Sequence, residues 1–427
     1  FDWRGLNTGL YDADFTDTGG ALLQKFQVRA STSTGGIGPF SPDWTDNITG
    51  INSASYADLW PLTSDLWDAL TDSATNYISL RVFDNAGSSF TLADAFRVLK
   101  DTTPALITDG QLGDDNWRPA AGTLYNVDFA DSGSRVSSAA YAAWTQAAKG
   151  GSQSLGWTQL FTSTGLLTYT TDWSVDFNNA AQGFNYVTIR AWDKAGNLTE
   201  LVDAFYLKKD TAAPTITDLQ DGDTTWYRLN PGNVFNVDFA DSGIGLSSAA
   251  YEAWTGPGKT GTNVAASSQI FSGEPVASYL SNWGPTDAAF TLLAAGTNYI
   301  SVTAWDALAQ SSAAMDLFYI LKDTVPPSAI TSLSAVTPSA AADEGDLNVY
   351  WNAPGDDDLT GSASYYMIRY HTDAISDENF DAVSVFVSTL VPKAAGQAEG
   401  VIITGLTPSV TYYAAVKAVD KAGNTGA

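Results

Sequence analysis

Short alternating runs of apolar and polar residues dominate the chain. In "NYVTIRAWD", residues 185–193, Tyr186, Thr188, Arg190 and Trp192 fall on one face and Val187, Ile189 and Ala191 on the other. A period of two in β-branched and aromatic residues is the mark of a strand. Clusters of Gly, Asn, Asp and Ser separate such runs, and no stretch carries a convincing helical period. The pattern predicts an all-β chain of antiparallel sandwiches.

The runs recur at domain length. "LYDADFTDTGG", "LYNVDFADSG" and "VFNVDFADSG" align on Phe15, Phe129 and Phe239. Each copy has an aromatic lead (Trp3, Trp117, Trp226), and each ends in a "KDT" linker followed by proline. Proline ends the last strand, because it lacks the donor a ladder needs. The predicted modules are 1–104, 105–214, 215–326 and a different fourth one, 327–427.

"RAWDKAGN", from Arg190, returns as "RVFDNAG" from Arg81, "TAWDALAQ" from Thr303 and "KAVDKAGN" from Lys417. Asp, Gly and Asn suit a tight turn, so the stretch reads as the hairpin between the last two strands. The third copy has Ala309 where Gly196 stands. Alanine at positive φ costs about 1 kcal/mol or more, so a different turn is expected there.

Composition narrows the chemistry. The chain has no cysteine, which excludes disulfides, thiolate metal sites and a cysteine nucleophile. A net charge of −27 repels nucleic acid and anionic membranes and suits divalent cations. No apolar run approaches membrane-spanning length, so no membrane insertion is expected. The single histidine, His371, lies at a predicted strand end, where it supports no triad or two-histidine metal motif. The carboxylate pairs Asp14/Asp17, Asp128/Asp131 and Asp238/Asp241 repeat with the modules, which favours structure over catalysis.

The cofactor expectation is none, or calcium, which takes several oxygen ligands from aspartate-rich turns. Candidate ligands are Asp109, Asp114 and Asp115; Asp218, Asp221 and Asp223; Asp356, Asp357 and Asp358; and the linker residues Asp101, Asp210 and Asp323. Trp144/Trp254, Trp173/Trp283 and Trp192/Trp305 recur in matching strands and are expected in the core, whereas Trp44 and Trp67 lack counterparts and are the candidates for ligand stacking. The sequons at Asn47 and Asn197 are weak signals.

Through "FADSG", the "RAWDKAGN" hairpin and the "KDTTP" linker, the three repeats resemble bacterial immunoglobulin-like domains. The fourth module resembles a fibronectin type III domain: "LNVYWNAPGDD" places Trp351 as its core tryptophan, "SYYMIRY" fits its third strand, and Leu406, Pro408 and Tyr412 have its tyrosine-corner spacing. These resemblances imply three immunoglobulin-like sandwiches and one fibronectin type III-like sandwich. Both terminal modules are expected to be one strand short, through truncation or because a neighbouring subunit donates the strand.

The resemblances imply a non-enzymatic segment of an extracellular or cell-surface protein, bacterial in origin: a stalk, an adhesin arm, or a filament or surface-layer subunit. The alternatives are an accessory region of a secreted hydrolase and a carbohydrate- or protein-binding module. Expected partners are other copies of the chain or neighbouring domains, or a surface glycan or protein, with no nucleic acid.

Overall fold

The computed structural model describes residues 2–111, 115–162, 165–220, 224–339 and 344–427. The chain forms all-β tandem sandwiches in two compact units, Phe1–Thr211 and Ala212–Ala427, each holding two of the sequence modules.

Each immunoglobulin-like repeat sets a five-stranded sheet against a smaller one. In the second repeat the large sheet runs Gly150–Phe161, Val136–Gln146, Gly183–Asp193, Leu198–Lys209, Trp117–Arg118, and the small sheet runs Thr168–Tyr169, Val127–Ala130, Leu106–Asp109. The third repeat repeats this plan. In the first, the small sheet has two strands among the described residues, Phe15–Thr16 and Ser55–Tyr56. The aromatic lead is itself a strand, with Trp117 and Arg118 pairing in parallel with Lys208 and Lys209.

The two-residue period decides what is buried. In the second repeat Val187, Ile189 and Ala191 are fully buried and Phe129 joins them from the opposite sheet, as Phe239 joins Ile300, Val302 and Ala304 in the third. The valine, isoleucine and phenylalanine side chains each contribute on the order of 1.5–3 kcal/mol by leaving water. The exposed edge strands Gly150–Phe161 and Thr260–Val276 are broken by several register shifts, a device that discourages edge-to-edge aggregation.

The "KDT" lysine has its own structural role. Lys100 Nζ donates to the carbonyls of Trp67, Asp68 and Leu70; Lys209 to those of Phe177, Asn178 and Ala180; and Lys322 to those of Phe290, Thr291 and Leu293. One buried ammonium thus satisfies three loop carbonyls that would otherwise lose their hydrogen bonds to water. Two of these loops contain helices absent from the sequence pattern, Ser64–Ala69 and Asp287–Leu292, capped by Thr63 and Thr286.

Three expectations are corrected. Ala309 keeps the turn of its counterparts, with φ 64° against 87° at Gly196, because Asp306 accepts from the backbone amides of Leu308 and Gln310 and holds the loop in the strained form. Trp144, Trp192, Trp254 and Trp305 are partly exposed on the outer face of the large sheets, whereas Trp173 and Trp283 are core. Trp67, a candidate for ligand stacking, is 6% exposed and packed in the first core, because its capped helix turns it inward.

The fourth module packs the three-stranded sheet Ser334–Val336, Leu347–Asn352, Ala398–Ile403 against Ser384–Phe386, Tyr365–His371, Tyr413–Val419. Trp351 is 2% exposed in its core, and Tyr412 Oη accepts the amide of Thr407, which builds the expected corner. His371 ends its strand, with Nδ1 accepting from the amide of Asp373.

Candidate metal centre

Three recurring motifs converge on one spot in the first unit. Asp101 follows the last strand of the first repeat, and its amide donates to the Arg4 carbonyl. Asp131 follows Val127–Ala130 and opens the "DSG" turn, while Asp193 ends its strand and opens the "DKAGN" hairpin. One carboxylate oxygen from each lies within 4.8 Å of the others. All three residues are buried, at 0%, 6% and 2% exposure.

Neutral donors hold the carboxylates in place. Asp101 accepts from the amides of Thr103 and Ser134 and from the Ser73 hydroxyl. Asp131 accepts from the Gly133 amide at 3.2 Å. Asp193 accepts from the backbone and side-chain amides of Asn197, at 2.8 and 2.7 Å, and Asn197 Nδ2 also donates to the Asp101 carbonyl at 2.8 Å. The hairpin of the second repeat therefore grips the chain leaving the first.

Burial pushes the carboxyls of Asp131 and Asp193 up, and the neighbouring Asp101 charge pushes them further; the amides donated by Gly133 and Asn197 oppose the rise. Three carboxylates gathered out of water repel one another and require a compensating cation or proton. A donor set made only of carboxylate oxygen fits a hard divalent ion such as calcium.

The second unit builds a related cluster from the fourth module. Asp420 accepts from the Asn424 backbone and side-chain amides, and Asn424 Nδ2 donates to the Asp323 carbonyl at 3.1 Å. This is the same clamp on a different module. Burial raises the carboxyl of Asp323, reinforced by the charges of Asp357 and Asp420. Burial likewise raises that of Asp356, which Lys421 pulls down and Asp420 and Asp323 push up. Asp356 Oδ1 is buried with no hydrogen-bond partner.

The sequence candidates are therefore divided. Asp101, Asp323, Asp356 and Asp357 belong to these clusters. Asp358 acts through its backbone, its carbonyl accepting from Ser328 and Gly355. Asp109 and Asp218 accept only the local amides of Gln111 and Gln220 among the hydrogen bonds described, and Asp115 is exposed beside Tyr206 and Lys208. Asp114, Asp221 and Asp223 lie outside the described residues. Asp210 holds the place of Asp101 in the next linker of the sequence.

Asp131 and Asp193 escaped sequence reasoning as ligands, because each was absorbed by a turn. The available signal was the joint recurrence of "KD", "FAD" and "WD", since three motifs each placing an aspartate at a strand end return together in the second and third repeats, with "FTD" and "FD" standing for the last two in the first.

Trp44 lies on the outer face of the first repeat, its ring centre 4.5 and 4.4 Å from the guanidinium carbons of Arg29 and Arg81. Both guanidinium groups are cation–π partners of the indole. The sequon side chains are also engaged: Asn47 is buried and donates to Pro61, and Asn197 is the clamp.

No family model matches the chain. It is 35% identical over 109 residues to a calcium-activated chloride channel regulator 1 of Sus scrofa, covering 24% of this chain. The chain spans about a tenth (11%) of the length of that curated relative. Solved structures similar to it include a tetra-tandem repeat from the extending region of a large adhesion protein, at 14% identity and TM-score 0.29, covering 94% of this chain and 89% of that one. Another is from a 1.5-MDa bacterial ice-binding adhesin, at 14% identity and TM-score 0.29, covering 71% and 88%. A third is protocadherin gammaB7 EC3-6, at 11% identity and TM-score 0.28, covering 94% and 92%.

Proposed function

We propose that the chain is a non-enzymatic, load-bearing segment of an extracellular or cell-surface protein, in which calcium stiffens the junctions between successive sandwiches. The observation that carries this reading is the buried triad of Asp101, Asp131 and Asp193, which draws the end of one repeat and two loops of the next to a single point. Calcium at that point offsets the repulsion among the carboxylates and couples the two modules, so that bending the junction requires stripping the ion of ligands. Asp323, Asp356, Asp357 and Asp420 would serve the junction into the fourth module. Ladders of antiparallel strands carry the load between junctions, and the net charge of −27 keeps an extended array soluble.

The test is small-angle scattering together with thermal unfolding of chelator-stripped chain, with and without calcium. The reading expects a narrower distribution of interdomain angles and a higher midpoint with calcium. Unchanged scattering and unchanged midpoint would reject it.

A further inference from the structure

The outer face of the first repeat's large sheet carries cations that its sister repeats lack or neutralise. Lys25, Gln27 and Arg29 alternate on Leu23–Ser31 with the buried Phe26, Val28 and Ala30. Arg81 and Phe83 share that outer face on Ala74–Asp84, with Arg81 directly across from Gln27. Arg81 is the sequence counterpart of Arg190 in the second repeat. There Glu200 lies across the ladder from Arg190, and its Oε2 meets Arg190 Nε at 2.6 Å. In the first repeat the residue across from Arg81 is Thr91, and in the third Thr303 faces Ala313.

The guanidinium groups of the first repeat therefore have neutral partners. Arg81 donates through Nε and Nη2 to Gln27 Oε1, at 3.1 and 2.6 Å, and Arg29 donates through Nη2 to the Gly36 carbonyl at 3.0 Å. Neither pairs with a carboxylate among the described residues. The nearby acids are engaged elsewhere: Asp46 takes Lys25 at 2.9 Å and Gln27, and Asp94 takes the amides of Gly35 and Gly36. Aromatic rings interleave with the cations in the order Phe40, Arg29, Trp44, Arg81, Phe83, Lys25, each cation lying 3.8–5.5 Å from the centre of its neighbouring ring.

We infer that this strip is a docking surface for an acidic polysaccharide of the polyuronate class. Charge complementarity requires an anionic partner, since two guanidinium groups without carboxylates stand on a chain of net charge −27. The planar fork of a guanidinium matches a carboxylate, which it holds through two parallel N–H bonds. Alternation of cation and ring suits a polymer in which every unit carries a carboxylate beside a C–H-rich sugar face, because the electron-rich face of an aromatic ring attracts polarised C–H groups. A second copy of the chain would bring its own charge of −27 against the first, and that repulsion disfavours it as the occupant. The ligand is an addition to the load-bearing reading and draws on none of the candidate calcium residues.

The experiment titrates a galacturonate oligomer into the full chain in the presence of chelator, so that calcium plays no part, with a neutral glucan oligomer and a sulfated one for comparison. Thr91→Glu restores beside Arg81 the acid that the second repeat has beside Arg190, and Arg29→Gln/Arg81→Gln removes both charges. Sedimentation follows self-association of each chain. The site predicts saturable galacturonate binding that weakens as salt is raised and that exceeds binding of the neutral and sulfated oligomers. Both variants should bind galacturonate at least about tenfold more weakly, with the unfolding midpoint of Thr91→Glu unchanged. No binding, full binding retained by either variant, or equal binding of the neutral or sulfated oligomer would overturn it. So would self-association of the native chain that Thr91→Glu abolishes, since a second copy would then be the occupant.

Discussion

The junction of the first two repeats and the one entering the fourth module join different kinds of sandwich with the same clamp. In one, Asn197 Nδ2 ties Asp193 to the Asp101 carbonyl; in the other, Asn424 Nδ2 ties Asp420 to that of Asp323. The intervening acid differs, coming from the "FADSG" turn as Asp131 in the first case and from the "PGDDD" loop as Asp356 and Asp357 in the second. The shared part is the aspartate that follows the last strand of one module together with the hairpin of the next, and the third contribution varies with module type. The hairpin thus does more than close a sandwich, since it fastens its module to the one before it.

The largest effect is expected from removing the clamp. Asp193→Ala deletes the acceptor of both Asn197 amides and one arm of the triad, and should cost about 2–4 kcal/mol in calcium, read by denaturant unfolding of the first unit. Asp420→Ala should behave alike in the second unit; a loss confined to one of the two would break the comparison.

Next in size is a change of sign. Asp131→Asn keeps an oxygen to accept from the Gly133 amide and an NH2 that can donate to the Ser134 hydroxyl while removing one repelling charge, so it should raise the thermal midpoint of chelator-stripped protein and lower that of calcium-loaded protein. Acidification tests the same repulsion. Asp131, Asp193, Asp323 and Asp356 have native pKa values raised above their unfolded value, so their contribution to stability is lost as pH rises through the native values and regained as it falls. The midpoint of metal-free protein should therefore rise as pH is lowered from 7 toward the ordinary carboxylate range, and the rise should shrink in calcium.

The smallest effects concern the turn itself. Gly196 has φ 87° and open space where a Cβ would stand, so Gly196→Ala should cost about 1 kcal/mol through backbone strain alone. Ala309→Gly removes the same strain from the third repeat and should stabilise it by up to about 1 kcal/mol, measured by chemical denaturation.

Much of the fold was legible because a period of two assigns each residue to a face without reference to distant partners. The tryptophans show how that reading fails. Trp144 and Trp192 recur, but recurrence alone does not distinguish core from surface. Parity does, since Trp192 shares its face with Arg190 whereas Ala191 shares the buried face with Val187 and Ile189. Trp67 was misplaced because a helix of only six residues, set by the Thr63 cap, leaves no period to detect. The acidic site was half legible. Asp101, Asp323, Asp356 and Asp357 stood out in loops, but Asp131 and Asp193 read as turn residues, and only the packing of one module on the next brings them to Asp101. The turn at Ala309 was misread because local strain was weighed without the bonds that Asp306 gives it.

Calorimetric titration of calcium into chelator-stripped chain tests the central claim most directly. The account predicts saturable binding at two or more sites, one of them lost in Asp101→Asn/Asp193→Asn, together with a rise in unfolding temperature that the double variant reduces. No heat and no shift in unfolding temperature at saturating calcium would contradict it.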